Sequence, residues 1–579
     1  MINQLLNTIQ IERLDDVPLL LAQLLRMQVA TLLDKHFPTH PHWTGELTLG
    51  QVVCVWLAAL VSTGDHRLCE LERWAGKRLT MLAACFGKSV RALDFHDDRL
   101  ADILNALDRA GPWAVFEQEL NAGLIRVYRL STDIVRVDMT TASTFAAAQE
   151  SEPEKLFQFG HSKDHRPDLA QIKVSVAALD PLGMPLTTTV VPGNSADDPL
   201  YVPAIKQVQA SLAKSEGRLF VGDCKMAALE TRAYVASTGD HYLCPLSGTQ
   251  MPAAELLKLL LPVWTGSQAL TPVHRPRAEA DAAAELIASG FSYVVPQTAT
   301  VAGKEVTWQE QRQVVRSEAH AKQQQQALDG KVAKAIAGLA ALNERKQGKK
   351  RLTAAELTAS SEQMVKRYGV ADLLEFEVET TVSEIVQRKY KDRPAGVQEV
   401  QEQTVKARVK TDAVESKKRL CGWRVYVTNA LVLTVMAAVQ AYRGQYGIEH
   451  GFARLKGKTL NLTPLYLQKE ERVSGLVKLL SIGLRLLTLI EFEVRRKLEE
   501  TGEKLRGVYP GQAGRSTSRP SSELLLEVFR GVDMWIVEHE GVCYRKVSPL
   551  TVAQKQILKM LDLSPSIYQG LSGTFSQSG

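Results

Sequence analysis

The sequence predicts an α/β protein: a layered sheet with helices on both faces, carrying a long insertion and preceded by an all-helical domain. Three observations lead there. Hydrophobic residues recur at helical spacing up to about residue 130 and then give way to β-branched, alternating segments. Three such segments follow one another with only polar loops and turns between them. Strand-like runs then alternate with helical ones to about residue 247.

Bulk properties fit a globular chain. With 579 residues it exceeds a single hydrophobic core and should divide into roughly three or four domains. Its 70 Lys+Arg against 64 Asp+Glu give a formal charge of +6, which permits a polyanionic partner without demanding one. The seven cysteines are scattered with no C-x-x-C pair, so His36/His40 and His161/His165 lack the cysteines of a zinc finger. Such cysteines are expected to be reduced thiols in a cytosolic protein. The opening MINQLLNTIQIERLDD has no basic segment followed by an apolar one, so no signal peptide is expected. The longest apolar runs (Val52–Val61, Ala430–Val439 and the stretch around Leu476–Ile490) are short or broken by Lys478 and Arg485, and read as buried helices.

In chain order, residues 1–130 read as the helical N-terminal domain. Leu19–Leu33, Thr48–Thr63 with Thr48 as cap, Ser89–Leu107 and Trp113–Leu124 are its helices, punctuated by Gly111–Pro112. Residues 131–247 form the first part of the core: strands at Ile134–Phe145, Gln171–Leu179 and Pro185–Val191, a helix near Tyr201–Leu212, a strand at Arg218–Asp223, a helix at Met226–Ser237 and a strand at His241–Pro245. Three antiparallel strands followed by an αβαβ stretch is the order of an RNase H-like core. Residues 248–420 read as an inserted domain, with strands at Ser292–Val295 and Leu373–Val378 and a long polar helix over Glu310–Lys346. That helix ends in Arg345, Lys346, Lys349, Lys350 and Arg351, a DNA contact or simply a solvated helix end. Residues 421–506 return to the core with a strand at Trp423–Val427 and helices at Leu431–Lys456 and Gly475–Lys497. A linker at 507–521 precedes a small C-terminal helical unit, 522–579.

Asp138 lies within a β-branched run, and Asp223 closes the strand RLFVGD. A buried carboxylate is costly unless a metal or hydrogen bonds satisfy it. Each alone reads equally as a cap or an ion-paired Asp. Glu449 follows in the segment Tyr442–Lys456; on one helix Tyr442, Glu449 and Lys456, spaced by seven, share a face. Alone it reads equally as a solvated helical Glu. Converging, the three would bind Mg²⁺ or Mn²⁺, hard cations that prefer oxygen, and two such ions support in-line phosphodiester displacement. Gly303-Lys304 lacks the upstream glycine of a phosphate-binding loop and is followed by Glu305, so ATP hydrolysis is not expected.

The stretches VDMTT (137–141), FGHSKDHRPDLAQIKV (159–174), PLTTTVVPGNSAD (185–197), VGDCKMA (221–227), Thr428-Asn429 and the tyrosine–arginine–glutamate–lysine signature together resemble the DDE transposases of bacterial insertion sequences, in the cut-and-paste group with a β-rich insertion before the glutamate. The resemblance implies catalytic, metal-binding roles for Asp138, Asp223 and Glu449. It matches Tyr442 and Lys456 to the signature, with Gln445 in place of its arginine and Arg443 close by. It further implies two metal ions, binding of double-stranded DNA at terminal inverted repeats and at the target, a homodimer or larger synaptic assembly, and a cytoplasmic, nucleoid-associated protein with no membrane role. The N-terminal helices and the insertion would supply DNA recognition. His161, Lys163, His165 and Arg166 are candidate DNA contacts or a solvated loop. Pro192-Gly193-Asn194 reads as a turn, Trp264 and Trp308 as core residues before base-stacking ones, and Asp133 as a turn residue rather than a ligand. Two rival functions stand beside the transposase: a catalytically silent DNA-binding descendant, and a metal-dependent nuclease without strand transfer.

Overall fold

The structure, a computed structural model, describes residues 9–39, 41–212, 216–275, 285–344, 352–387, 396–512, 514–539 and 541–576. The basic run Arg345–Arg351 and His40 lie outside them. Two compact units emerge, one of residues 1–244, 297–308 and 441–579, the other of 245–296 and 309–440.

The first unit opens with strand β1 (Ile9–Arg13) and helices α1 (Val17–Arg26), α2 (Val29–His36), α3 (Leu49–Thr63), α4 (Leu68–Gly76), α5 (Leu79–Phe86), α6 (Asp97–Asp108) and α7 (Ala110–Tyr128). The single helix expected over Leu19–Leu33 is two, because Gln28 adopts a left-handed φ of 60°. Thr48 caps α3 in a capping box with Gln51, as its position before the apolar run suggests. The helix expected from Ser89 begins only at Asp97, after a 3₁₀ turn at Ala92–Phe95. Gly111–Pro112 opens α7 instead of separating two helices, since proline's missing N–H is harmless in a first turn.

The sheet of this unit is mixed. It comprises β2 (Ile134–Thr144), β3 (Ala170–Leu179), β4 (Met184–Pro192), β5 (Leu219–Val221) and β6 (His241–Pro245), in the order β4-β3-β2-β5-β6. The β2–β3 and β3–β4 pairs are antiparallel, β2–β5 and β5–β6 parallel. Helices α8 (Tyr201–Ser211) and α9 (Leu229–Ser237) link the later strands. Every residue of β3 is buried, as a strand covered on both faces requires.

The second unit contains α10 (Ala253–Trp264), β7 (Thr271–His274), β8 (Leu286–Val301) and β9 (Lys304–Arg316) except for residues 297–308, α11 (Glu318–Leu342), α12 (Ala354–Tyr368), β10 (Leu374–Gln387), β11 (Gly396–Val409), α13 (Thr411–Arg419) and β12 (Trp423–Thr428). The helix expected from Glu310 starts at Glu318. Residues 310–316 belong instead to β9, where Val314 and Val315 are buried and the strand pairs with β12. Leu328, Leu339, Leu357, Val365 and Val405 join α11, α12 and the β10–β11 ribbon in one core.

Helix α14 (Val435–Arg443) leads the chain back into the first unit, where α15 (Tyr446–Lys456) and the 32-residue α16 (Glu470–Thr501) follow. Helix α16 is long and apolar enough to span a membrane, but its apolar window is wholly buried inside the protein. Its Arg485 is fully buried and ion-pairs with Glu117 of α7 at 2.7 Å. The C-terminal stretch, expected to be helical, adds strands Asp533–His539, Val542–Val547 and Gly573–Ser576 to helices at Ser522–Glu527 and Val552–Met560. These three strands and β1 form a four-stranded antiparallel sheet, in which β1 pairs with Asp533–His539. The alternation in DMWIVEH and VCYRKV around Gly541 is a hairpin pattern that outweighs the helix reading.

Candidate active site

The parallel pairing of β2 with β5 brings the two aspartates together. The last paired residues are Arg136 and Val221, and Asp138 and Asp223 each stand two residues further along. Adjacent strands lie about 4.8 Å apart, so carboxylates at equivalent positions feel each other. Asp138, with a side chain 19% exposed, has its carboxyl pushed up to about 6. Burial is the main cause, and the charges of Asp223 and Asp197 add to it, against Lys163 and the Met139 N–H. Lys163 Nζ sits 4.0 Å from Asp138 Oδ1 and donates to the Met139 carbonyl. Both aspartates line one small pocket with Tyr442, Gln445 and Ile448.

Two groups orient this pair that the sequence alone does not single out. Buried Tyr201, at the start of α8, donates its hydroxyl to Asp223 Oδ1 at 2.7 Å, and the same oxygen accepts the Lys225 N–H at 2.8 Å. Burial, then the charges of Asp223 and Asp138, raise the Tyr201 hydroxyl well above its ordinary value and keep it protonated as a donor. The only sequence signal for it is a hydroxyl-bearing aromatic opening a helix. Lys173 on β3 holds Asp197 at 2.5 Å, and Lys225 pairs with Asp198 at 3.5 Å.

Arg136 explains why one expected helix is two. Its buried guanidinium pairs with Asp180 at 2.6 Å and donates to the carbonyls of Ala441 and Tyr442. A cation on terminal carbonyls favours a helix end. At Gly444 a methyl group would collide with Arg136 Nη2 and lie 3.0 Å from Asp180, so the chain breaks there between α14 and α15. Tyr442 therefore does not share a helix with Glu449, contrary to the seven-residue argument, although it still lines the pocket. Glu449 and Lys456 do lie two turns apart on α15.

Glu449 itself is exposed. Its neighbours Gln445 and Ile448 line the pocket, but among the described residues the three carboxylates do not gather within 4.8 Å of one another. A grouping that tight occurs at His96, Asp97 and Asp98, at the start of α6. Helix α15 is anchored by buried Arg454, which binds Glu491, Ser522 Oγ at 2.9 Å and Glu523 at 2.8 Å. Burial opposes charge on Glu523, but its bonds to Arg454 prevail and hold it down to about 2.

The remaining candidates are placed as follows. Lys456 pairs with Asp164 at 2.6 Å, and Asp164 also accepts the Ser143 N–H and hydroxyl at 3.1 Å, so the loop after β2 is fastened to α15. His161 and His165 are exposed, His165 with φ 57°, and exposed Arg166 pairs with Asp168. Arg443 is exposed at the end of α14. Gly160 packs against Gly193 and Gln171, so the turn at 192–194 seats that loop. Trp308 Nε1 donates to the Tyr242 hydroxyl at 2.9 Å and Trp264 lies under Arg419 at 4.0 Å, both packing roles. Asp133 accepts the Ser131 hydroxyl, a turn contact.

Two adjacent carboxylates, each already oriented by a backbone N–H, are an oxygen donor set that fits a hard divalent cation. The cation would also relieve their mutual repulsion.

Comparison with known proteins agrees with this chemistry. No curated protein matches the chain. A cryo-EM structure of a piggyBac transposase synaptic complex with hairpin DNA aligns over 96% of this chain and 83% of its own, at 8% identity and a TM-score of 0.34, too distant to establish a common fold. The family model for the transposase DDE domain matches residues 131–484, which contain all three acids and more than half the chain, and the protein therefore belongs to the DDE transposases.

Proposed function

We propose that this transposase cuts DNA at the terminal inverted repeats of an insertion element and joins the freed 3′-hydroxyls to target DNA, with Asp138, Asp223 and Glu449 as its metal ligands. The observation that carries the reading is the coupling of Asp138 and Asp223 across β2 and β5, in a pocket lined by Tyr442 and by Gln445 at the signature's arginine position. The strand order β4-β3-β2-β5-β6 supports an RNase H-like core, and α1–α7 would form an N-terminal DNA-binding region.

Two divalent ions, Mg²⁺ or Mn²⁺, would activate the attacking oxygen and stabilise the leaving one. The chain's own part is positional. Tyr201 and the Lys225 N–H fix Asp223, the Met139 N–H fixes Asp138, and Lys163 offsets the local negative charge. Glu449 would complete the set by turning its exposed side chain toward the pocket that its own helical turn lines. The His161–Arg166 loop, Tyr442, Arg443 and Lys456 would contact the DNA backbone, and a homodimer or larger assembly would hold two ends together.

The exposed position of Glu449 and the glutamine at 445 favour one alternative, a silent DNA-binding descendant. Strand transfer decides. Pre-cut element ends with free 3′-hydroxyls are incubated with supercoiled plasmid and Mg²⁺ or Mn²⁺. Joined products support the proposal. Cleavage of uncut ends without any joining makes the protein a nuclease, and neither reaction with either metal leaves a DNA-binding protein.

A further inference from the structure

A second cleft, of about 530 Å³, lies in the 94° bend between α3 and α4, with β1 along its other side. Five cations line it, Arg13, Arg67, Arg73, Lys77 and Arg78, against three carboxylates. Those carboxylates are engaged. Glu12 accepts the N–H groups of Thr80 and Met81 at the start of α5, Asp65 pairs with Arg67 at 2.6 Å, and Glu70 pairs with Arg73 at 2.5 Å.

Arg78 is the exception. Its side chain is only 12% exposed, yet its five-donor guanidinium makes one hydrogen bond, to the Trp74 carbonyl at 3.2 Å. Among the described residues its Nε is buried without a partner, as is the indole N–H of Trp74, over whose ring it lies at 4.5 Å. Its ion pair is a long one, to Asp15 Oδ2 at 4.0 Å, while the other oxygen of Asp15 serves Arg13 and the Gly531 N–H, both at 2.8 Å. Burial, helped by the charge of Arg13, lowers the proton affinity of Arg78 against the opposing charges of Asp15, Glu12 and Asp16. A buried cation held by one long ion pair and one hydrogen bond costs stability, and an arriving anion would supply closer partners.

We propose that this cleft binds a backbone phosphate of duplex DNA, with Arg78 as the buried anchor and Arg67 and Arg73 on the rim. The guanidinium fork matches two phosphate oxygens, and the five cations of the lining outnumber its three carboxylates, which leaves an excess of positive charge for a polyanion. The inference rests on the reading of this chain as a DNA-acting enzyme and adds to it a specific contact outside the matched domain.

The test uses the full chain, a short fluorescein-labelled duplex of the element end and one of unrelated sequence, with anisotropy read across a KCl titration and Tm measured in parallel. Arg78→Met should weaken both duplexes about tenfold while Tm stays level or rises, because an under-compensated charge has been removed. The exposed double variant Arg67→Gln/Arg73→Gln should flatten the salt dependence by about two phosphates' worth and keeps the test valid if Arg78→Met folds poorly. Unchanged affinity and salt slope in both variants overturn the proposal. So does a fall in Tm for Arg78→Met with duplex affinity intact, which assigns a packing role. Saturable, Arg78-dependent binding of inorganic phosphate or dAMP with duplex binding unaffected would make it a small-anion pocket and also overturn it. Failure of wild type to bind either duplex would instead defeat the DNA-acting reading itself.

Discussion

The Tyr201 hydroxyl donates to Asp223 Oδ1 at 2.7 Å, tying the first turn of the helix after β4 to the acid that follows β5. Together with the Lys225 N–H, this bond fixes one of the three carboxylates proposed as metal ligands, at the end of a three-residue strand.

Tyr201→Phe removes that bond and little volume. A hydrogen bond to a charged group is worth about 1.5–3 kcal/mol. The Mn²⁺ concentration for half-maximal cleavage should therefore rise about tenfold while DNA affinity stays level. An unchanged metal requirement would show that Tyr201 serves packing alone.

Gln445 lines the pocket, and the sequence resemblance sets it where the family signature has an arginine. Gln445→Arg should restore a charge-assisted phosphate contact, tightening binding of cut ends several-fold. Gel shifts with pre-cut DNA check this. Weaker binding by the variant would mean that glutamine is the fitted residue here.

Asp138 must lose its proton to bind a cation, and without metal it does so only near pH 6, chiefly because of burial. At limiting Mn²⁺, cleavage should fall as pH drops through about 6, and added metal should move that midpoint to lower pH as cation displaces proton. A midpoint indifferent to metal concentration contradicts the assignment.

Asp16 gives a stability test away from the site. Buried beside Ser62, with Ser62 Oγ donating to it at 2.5 Å, it is pushed up to about 6, mainly by burial. The unfolded chain ionises it near its ordinary value and the folded chain only near 6. Stability is thus lost as pH rises through that window, and the cost is complete above it. A carboxyl raised that far costs the folded state roughly 3 kcal/mol once it is ionised. Asp16→Asn should raise Tm at pH 7 and leave it nearly unchanged near pH 4. An equal effect at both values, or a lower Tm at pH 7, would contradict this.

The first three core strands are legible in the sequence because Ile134–Thr144, Ala170–Leu179 and Met184–Pro192 are β-branched, apolar and separated by polar loops. Asp138 and Asp223 are legible from their places in such runs. Tyr201 is not, since its bond to Asp223 joins residues 22 apart through the fold. The break at Gly444 is hidden for the same reason: it is enforced by Arg136, which bonds the Tyr442 carbonyl from 306 positions away. The length of β10 and β11 is obscured by Glu, Gln and Thr on an exposed ribbon, where alternation of hydrophobicity is weak. Strand β1 lacks any local mark because its partner lies at the other end of the chain.

If Glu449 joins Asp138 and Asp223 in one metal site, removing its carboxylate abolishes cutting. The direct measurement is cleavage of labelled DNA carrying the element's ends, in Mg²⁺ and in Mn²⁺, by wild type and Glu449→Ala, with gel shifts confirming equal DNA binding. Wild type should cut at the ends, and the variant should cut in neither metal. Undiminished cutting by Glu449→Ala would contradict that assignment and send the search for the third ligand elsewhere around the Asp138–Asp223 pair.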